Sequence, residues 1–356
     1  MKLKLTVLIV LMFLLIAGCV KDPTGTNDAE KTPKLAGAFI LNEGNFQAAN
    51  GSLSFYDPKA DSIQNDIFKA INLRPLGDVV QSMTIIDTLG YIVVNNSNKI
   101  EVFSLKTWKS IATINLPAGS SPRYLAEAGD GTAYVTNLYA NSVTVLNLES
   151  NQIETSIDVG ANPEEIAIVN GKAYVANSGF GWDNTVSVID VATRKVVKNI
   201  TVGDNPRSVR VDAEEEVHVL CTGRWPAWND TTDKGTDGAL FVINPETDMV
   251  VDSFAINGHP SRLSLDGTDT GYFISDGHVV AYSTKTNEVT DPAFIGGFFY
   301  GLEVDPLSKD IYLLDAKDYI QSGTLFIYDA GGTLKTAHAV GIIPGSITFV
   351  YEKPSQ

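Results

Sequence analysis

Thr132-Ala133-Tyr134-Val135-Thr136-Asn137 and Lys172-Ala173-Tyr174-Val175-Ala176-Asn177 are two copies of one short alternating run. Each is followed by a second β-rich run, Ser142-Val143-Thr144-Val145-Leu146 or Thr185-Val186-Ser187-Val188-Ile189. A turn then leads to a third, which ends in Ile157-Asp158-Val159-Gly160 or Ile200-Thr201-Val202-Gly203. β-Branched and aromatic residues alternating with polar ones suit a pleated, half-buried strand, and from Leu35 onward almost nothing follows the helical period. Each unit opens on a proline or its equivalent: Val80, Pro122, Pro163, Pro206, Pro260, Phe299 and Pro344, at intervals of 42, 41, 43, 54, 39 and 45 residues. A period near 42 with four strands in each unit predicts a β-propeller, and the interval of 54 marks an insertion.

Working outward, the units number seven. The first has outer strands expected at Gly37–Asn42, Ser52–Asp57 and Ser62–Phe68 but no inner strand of its own, while Ser346–Tyr351 is a strand without a unit. Supplying one from the other gives an all-β, seven-bladed propeller of four-stranded blades over residues 35–356, closed by the C-terminal strand. Such closure removes open sheet edges. A β-sandwich or a β-helix would leave the missing and the surplus strand unrelated.

The N-terminus reads as an export signal. Lys2 and Lys4 form a basic region, Leu5 to Leu15 an apolar one, and Ile16-Ala17-Gly18 supplies short side chains before Cys19. The alternative, a transmembrane helix, needs about 20 apolar residues, and this run is well short of that. Residues 1–18 are therefore expected to be a lipoprotein signal peptide, Cys19 the lipidated residue, and 19–34 a tether rich in Pro, Thr, Asp and Lys. More than one acyl chain makes such an anchor stable. Val20 rather than Asp follows the lipid site, and Lys21-Asp22 is similar to the short charged export tags of some surface lipoproteins. The expected place is the outer membrane, exposed at the cell surface.

Loss of residues 1–18 removes two lysines and no acids, so a formal net charge of −16 becomes −18. Nucleic acid is then excluded as a partner, because phosphate binding needs a basic surface. With Cys19 lipidated, Cys221 is left alone and is expected to be a small buried hydrophobe rather than half of a disulfide.

In a propeller, the loops entering the inner strands and those joining second to third strands gather on one face around the central channel, the expected binding surface. The first set supplies Gln81, Ser82, Arg123, Tyr124, Glu164, Glu165, Arg207, Arg262, Phe299 and Tyr300. The second supplies Phe46, Asn95, Asn96, Asn137, Tyr139, Phe180, Trp182, Arg224, Trp225, Trp228, Asp315, Asp318 and Tyr319. Three of the four tryptophans fall there, within the two longest loops, Asn177–Asn184 and Thr222–Gly238. Aromatic residues on surface loops bring large contact area at low entropy cost, or else pack beneath their own loops. For the channel arginines the corresponding alternative is pairing with Glu164 and Glu165. The expected ligand residues are Phe46, Asn95, Arg123, Tyr124, Tyr139, Phe180, Trp182, Arg207, Arg224, Trp225, Trp228, Arg262, Tyr300 and Tyr319.

No nucleophile elbow, zinc-protease helix or phosphate loop is present in the sequence. His218, His259, His278 and His338 fall in different units without ligand spacing, and the acidic run from Asp230 to Asp237 departs from the EF-hand pattern. A non-enzyme is expected, with no cofactor and no metal.

Ala133-Tyr134-Val135-Thr136-Asn137 resembles the YVTN-type propeller repeat. Asn42-Glu43-Gly44-Asn45-Phe46-Gln47, Leu76-Gly77-Asp78-Val79-Val80-Gln81-Ser82-Met83, Val93-Val94-Asn95-Asn96-Ser97, Tyr300-Gly301-Leu302 and Val340-Gly341-Ile342-Ile343-Pro344-Gly345 resemble the surface-lipoprotein propellers encoded beside TonB-dependent transporters. Blades one, two and seven carry this likeness, to the BtuG-type corrinoid-capture lipoproteins. The resemblance implies a protein that binds cobalamin or another corrinoid outside the cell and delivers it to an outer-membrane TonB-dependent transporter. A ferric siderophore is the alternative ligand, and a protein-binding or adhesion platform the alternative role. A corrinoid is nearly neutral, whereas a ferric catecholate is strongly anionic and is repelled by an acidic body unless arginines focus a positive field.

Overall fold

The computed structural model describes residues 33–352. The proposed signal peptide, Cys19 and all but the end of the tether lie outside the described residues. Within them the chain forms seven four-stranded antiparallel sheets. Their inner strands are Pro344–Glu352, Val80–Ile86, Pro122–Glu127, Pro163–Val169, Pro206–Val211, Ser261–Leu265 and Gly301–Val304, for blades one to seven. Each packs beside the inner strand of the next, and the ring closes from blade seven to blade one.

The second strand of each blade is the most buried. In Thr132–Asn137 every residue is covered, because a propeller blade is packed on both faces. Alternation then sends neighbours to opposite sides. Ala133 and Val135 join a cluster with blade two, whereas Tyr134 joins one with blade four. Seven such clusters fill the seven gaps between neighbouring blades. Two of the buried tyrosines place their hydroxyls on acceptors: Tyr134 donates to Val191 O at 3.2 Å and Tyr174 to Asp248 Oδ1 at 2.5 Å. Outer strands show the reverse pattern, as in Gln152–Asp158, where only one residue is buried.

Blade one is closed as expected. Pro344–Glu352 pairs with Lys34–Asn42 from Lys34 opposite Glu352 to Asn42 opposite Pro344. One boundary differs from the sequence reading. The fourth strand of this blade is only Ser62–Gln64, and Ile67–Asn72 is a short helix. Phe68, expected at the end of that strand, is buried from this helix in the cluster between blades one and two. Left-handed residues at both ends, Asp66 and Leu73, turn the chain inward and place Ile67 and Phe68 against that core. Cys221 is free and fully buried, as expected, and burial pushes its thiol up to about 12.

Candidate ligand face

The channel mouth is built by a repeated backbone irregularity. Pairing of the first two strands skips Gln81 in blade two, Arg123-Tyr124 in blade three, Glu164-Glu165 in blade four, Arg207 in blade five and Arg262 in blade six. A β-bulge re-aims the residues it leaves unpaired, and here these residues line the mouth of the channel. In blade one the skipped residue is Gly345. A Cβ there would lie 2.5 Å from Glu43 Oε1, so the glycine makes room for the Glu43 carboxylate, which completes the ring.

Most of the charge in this ring is spent internally. Arg123 Nε donates to Glu164 Oε2 at 2.7 Å and its fork also meets Gln81, while Arg207 donates to Glu164 Oε1 at 3.0 Å. Arg210 pairs with Glu165. Burial alone would raise the Glu164 carboxyl, but Arg123 and Arg207 outweigh it and hold the group below the usual carboxylate range. Glu43 shows the opposite balance: burial raises it despite Arg262 and Arg123 nearby, and Tyr300 donates its hydroxyl to it at 3.1 Å. Arg262 is held differently, donating Nε to Tyr300 O at 2.7 Å with its guanidinium 5.0 Å from the Tyr300 ring. The cavity these groups enclose measures about 190 Å³. Pockets that swallow drug-sized ligands run to roughly 300–1,000 Å³, so the channel admits a small group and nothing larger.

Around the mouth lies a ring of exposed aromatic residues. Among the described residues every large aromatic left exposed is on this face: Phe46, Tyr139, Phe180, Trp182, Trp225, Trp228, Phe298 and Tyr319. All sit in loops joining second to third strands or leading into an inner strand. Exposed aliphatics such as Ile111, Ile153, Val197, Met249, Val289 and Leu334 lie instead on outermost strands. The fourth tryptophan, Trp108, packs with Phe39 and Phe55 between blades one and two.

The two long loops brace each other. Arg224 makes a two-pronged pair with Asp233, whose carboxyl is held well below its usual range by Arg224 and by the amides of Gly235 and Ala227. The same guanidinium lies 4.6 Å from the Trp182 ring. Trp225 stacks on His259 at 3.4 Å between ring centroids and yet leaves 64% of its surface open. Trp228 is 95% exposed. Tyr139 and Phe180 meet at 6.2 Å, and Tyr319 sits edge-on to Tyr300 at 5.5 Å. Of the expected residues, Asn95 is placed elsewhere: it is buried, with its amide given to Ser121 Oγ and Pro122 O, each at 2.9 Å. Asn137 likewise ties its strand to Ser142 and Thr144.

The family described as Domain of unknown function (DUF5074) matches residues 36–217, half of the sequence. The chain belongs to that family. No curated protein matches it. Among solved structures, hydrazine synthase of Kuenenia stuttgartiensis is similar with a TM-score of 0.60 and 16% identity, over 79% of this chain and 100% of that one. A quinonprotein alcohol dehydrogenase-like protein of Bacteroides thetaiotaomicron gives 0.66 and 15%, over 89% and 79%. A functionally unknown protein of Desulfotomaculum acetoxidans gives 0.66 and 14%, over 88% and 98%. At these identities the likeness is one of fold.

Sequence reasoning missed Glu43, whose place in the ring depends on a glycine at the far end of the chain, and Phe298, which follows Gly296 and Gly297 in the loop leading into the inner strand of blade seven. It also missed that Asp212, Glu216 and His218 converge on the opposite face, with potential ligand atoms within 4.8 Å of one another. Both ring nitrogens of His218 are already engaged, Nε2 with Asp212 Oδ2 and Nδ1 with the Tyr282 hydroxyl, each at 3.1 Å. Through these bonds His218 links Asp212 of blade five to Tyr282 of blade six.

Proposed function

We propose that this propeller captures a large nutrient across its aromatic-rimmed face, a corrinoid in the first instance, and hands it to an outer-membrane TonB-dependent transporter while anchored through Cys19. The observation that carries the reading is the confinement, among the described residues, of all eight exposed large aromatics to one face. Exposed aromatic surface is unfavourable unless something covers it, and Trp and Tyr with polar neighbours suit a ligand that is apolar in part and hydrogen-bonding in part. Because the channel is small, such a ligand lies over it rather than inside it. The resemblance in blades one, two and seven supports a corrinoid. Electrostatics supports the same choice over a ferric catecholate: Arg123 and Arg207 share Glu164 and Arg224 pairs with Asp233, so the positive field left at the mouth is small against a strongly acidic body. A binding rather than catalytic role fits a ring most of whose charged side chains are committed to one another.

Native mass spectrometry of residues 35–356 with cyanocobalamin, and separately with a ferric catecholate siderophore, tests the reading. A one-to-one cyanocobalamin complex is expected. Binding of the siderophore alone would replace the corrinoid by the alternative ligand, and binding of neither would remove nutrient capture.

A further inference from the structure

Blade six departs from the pattern of the ring. In blades two to five and at the closure strand, the left-handed residue is the one before the proline position: Val79, Ser121, Asn162, Asn205 and Ile343. In blade six it is Arg262 itself, at φ 57°. Arg262 is near enough to Glu43 and Glu165 to feel their charge but forms an ion pair with neither. Among the described residues Arg262 is the one arginine of the channel ring with no carboxylate within ion-pair distance, and of its donors only Nε is engaged. The same cavity is lined by Glu43, Glu164 and Glu165, of which Glu164 and Glu165 are engaged by Arg123, Arg207 and Arg210. A guanidinium fork whose terminal nitrogens are unengaged, lining one small polar cavity, is an unfilled acceptor-binding arrangement, since buried donors are normally satisfied.

We propose that the channel mouth is a distinct site for a small carboxylate, bound by the terminal nitrogens of Arg262. The planar, two-oxygen carboxylate matches the fork in a way that a chloride ion or a neutral amide does not. Tyr300 fixes the guanidinium from behind, through the Nε bond and the ring face, so the fork is oriented before the ligand arrives. The carboxylate belongs either to a free small acid or to an acid arm of a larger molecule lying over the mouth. The site stands whether or not the large ligand is a corrinoid.

Calorimetric titration with sodium succinate up to about 50 mM, a range that shows even millimolar affinity, tests it against dimethyl succinate at matched ionic strength. Saturable binding of succinate and none of the ester is expected, weakened at least tenfold in Arg262→Gln and retained in Trp182→Ala. Arg262→Lys, which keeps the charge and loses the fork, should bind more weakly than the parent, and circular dichroism on each variant checks folding. If the carboxylate is an arm of the large ligand, saturating succinate competes with that ligand; if it is a separate acid, both bind together. Absence of saturable succinate binding, or equal binding by folded Arg262→Gln, would overturn the proposal. Succinate binding without cyanocobalamin binding would leave this site in place and remove only the corrinoid reading.

Discussion

Phe180 holds a left-handed backbone, φ 51°, with its ring 57% exposed. A bulky residue there is strained by about 1 kcal/mol, and glycine would relieve the strain. Phe180→Gly is therefore expected to melt at or slightly above the parent temperature while losing affinity for the large ligand, as read by a thermal melt and a titration on the same sample. A drop of several degrees would show that the ring supports the loop instead. At this scale the sequence revealed which side chains are on the face, because the proline-marked strand starts and the loop aromatics are local signals. Their partners were not legible. Glu164 joins Arg123 and Arg207 from neighbouring blades, and which of these pairs forms depends on bulge geometry that no short stretch encodes. Asn95 looked like a loop amide, and only the approach of blade three shows that it is consumed by Ser121 and Pro122.

The closure strand is the element on which the ring depends. Pro344–Glu352 pairs along the whole of Lys34–Asn42, and Ile347 and Phe349 also pack in the cluster between blades seven and one. Deleting residues from Ile343 onward removes a strand, opens a sheet edge and uncovers a core face at once. The expected loss is several kcal/mol, on the scale of whole-domain stability, measured by denaturant unfolding; a truncated protein unfolding with the parent would mean that the ring closes otherwise. Strand order and blade count were readable because each unit repeats its alternation and its opening residue. The helix Ile67–Asn72 was not, since Ile67-Phe68 continues the apolar pattern of the preceding strand and its departure is set by left-handed backbone at Asp66.

For the whole molecule, the arrangement of surface chemistry matters more than its total: the chain is acidic overall, most of the channel charges are engaged with one another, and the exposed aromatics of the described residues share one face. Anchoring is proposed to rest on Cys19, so Cys19→Ala should leave the propeller folded and release it from membranes in a detergent-partition assay, whereas persistent membrane association would refute the lipid anchor. The claim that the aromatic face is the capture surface is tested most directly by calorimetry of Trp182→Ala and Trp225→Ala with cyanocobalamin. Aromatic anchors at a binding surface commonly contribute about 2 kcal/mol or more each, which predicts affinity weakened roughly 30-fold or more in each variant with little change in melting temperature. Unchanged affinity in both, with melting temperatures that fall, would show the tryptophans to be braces for their own loops and contradict the account.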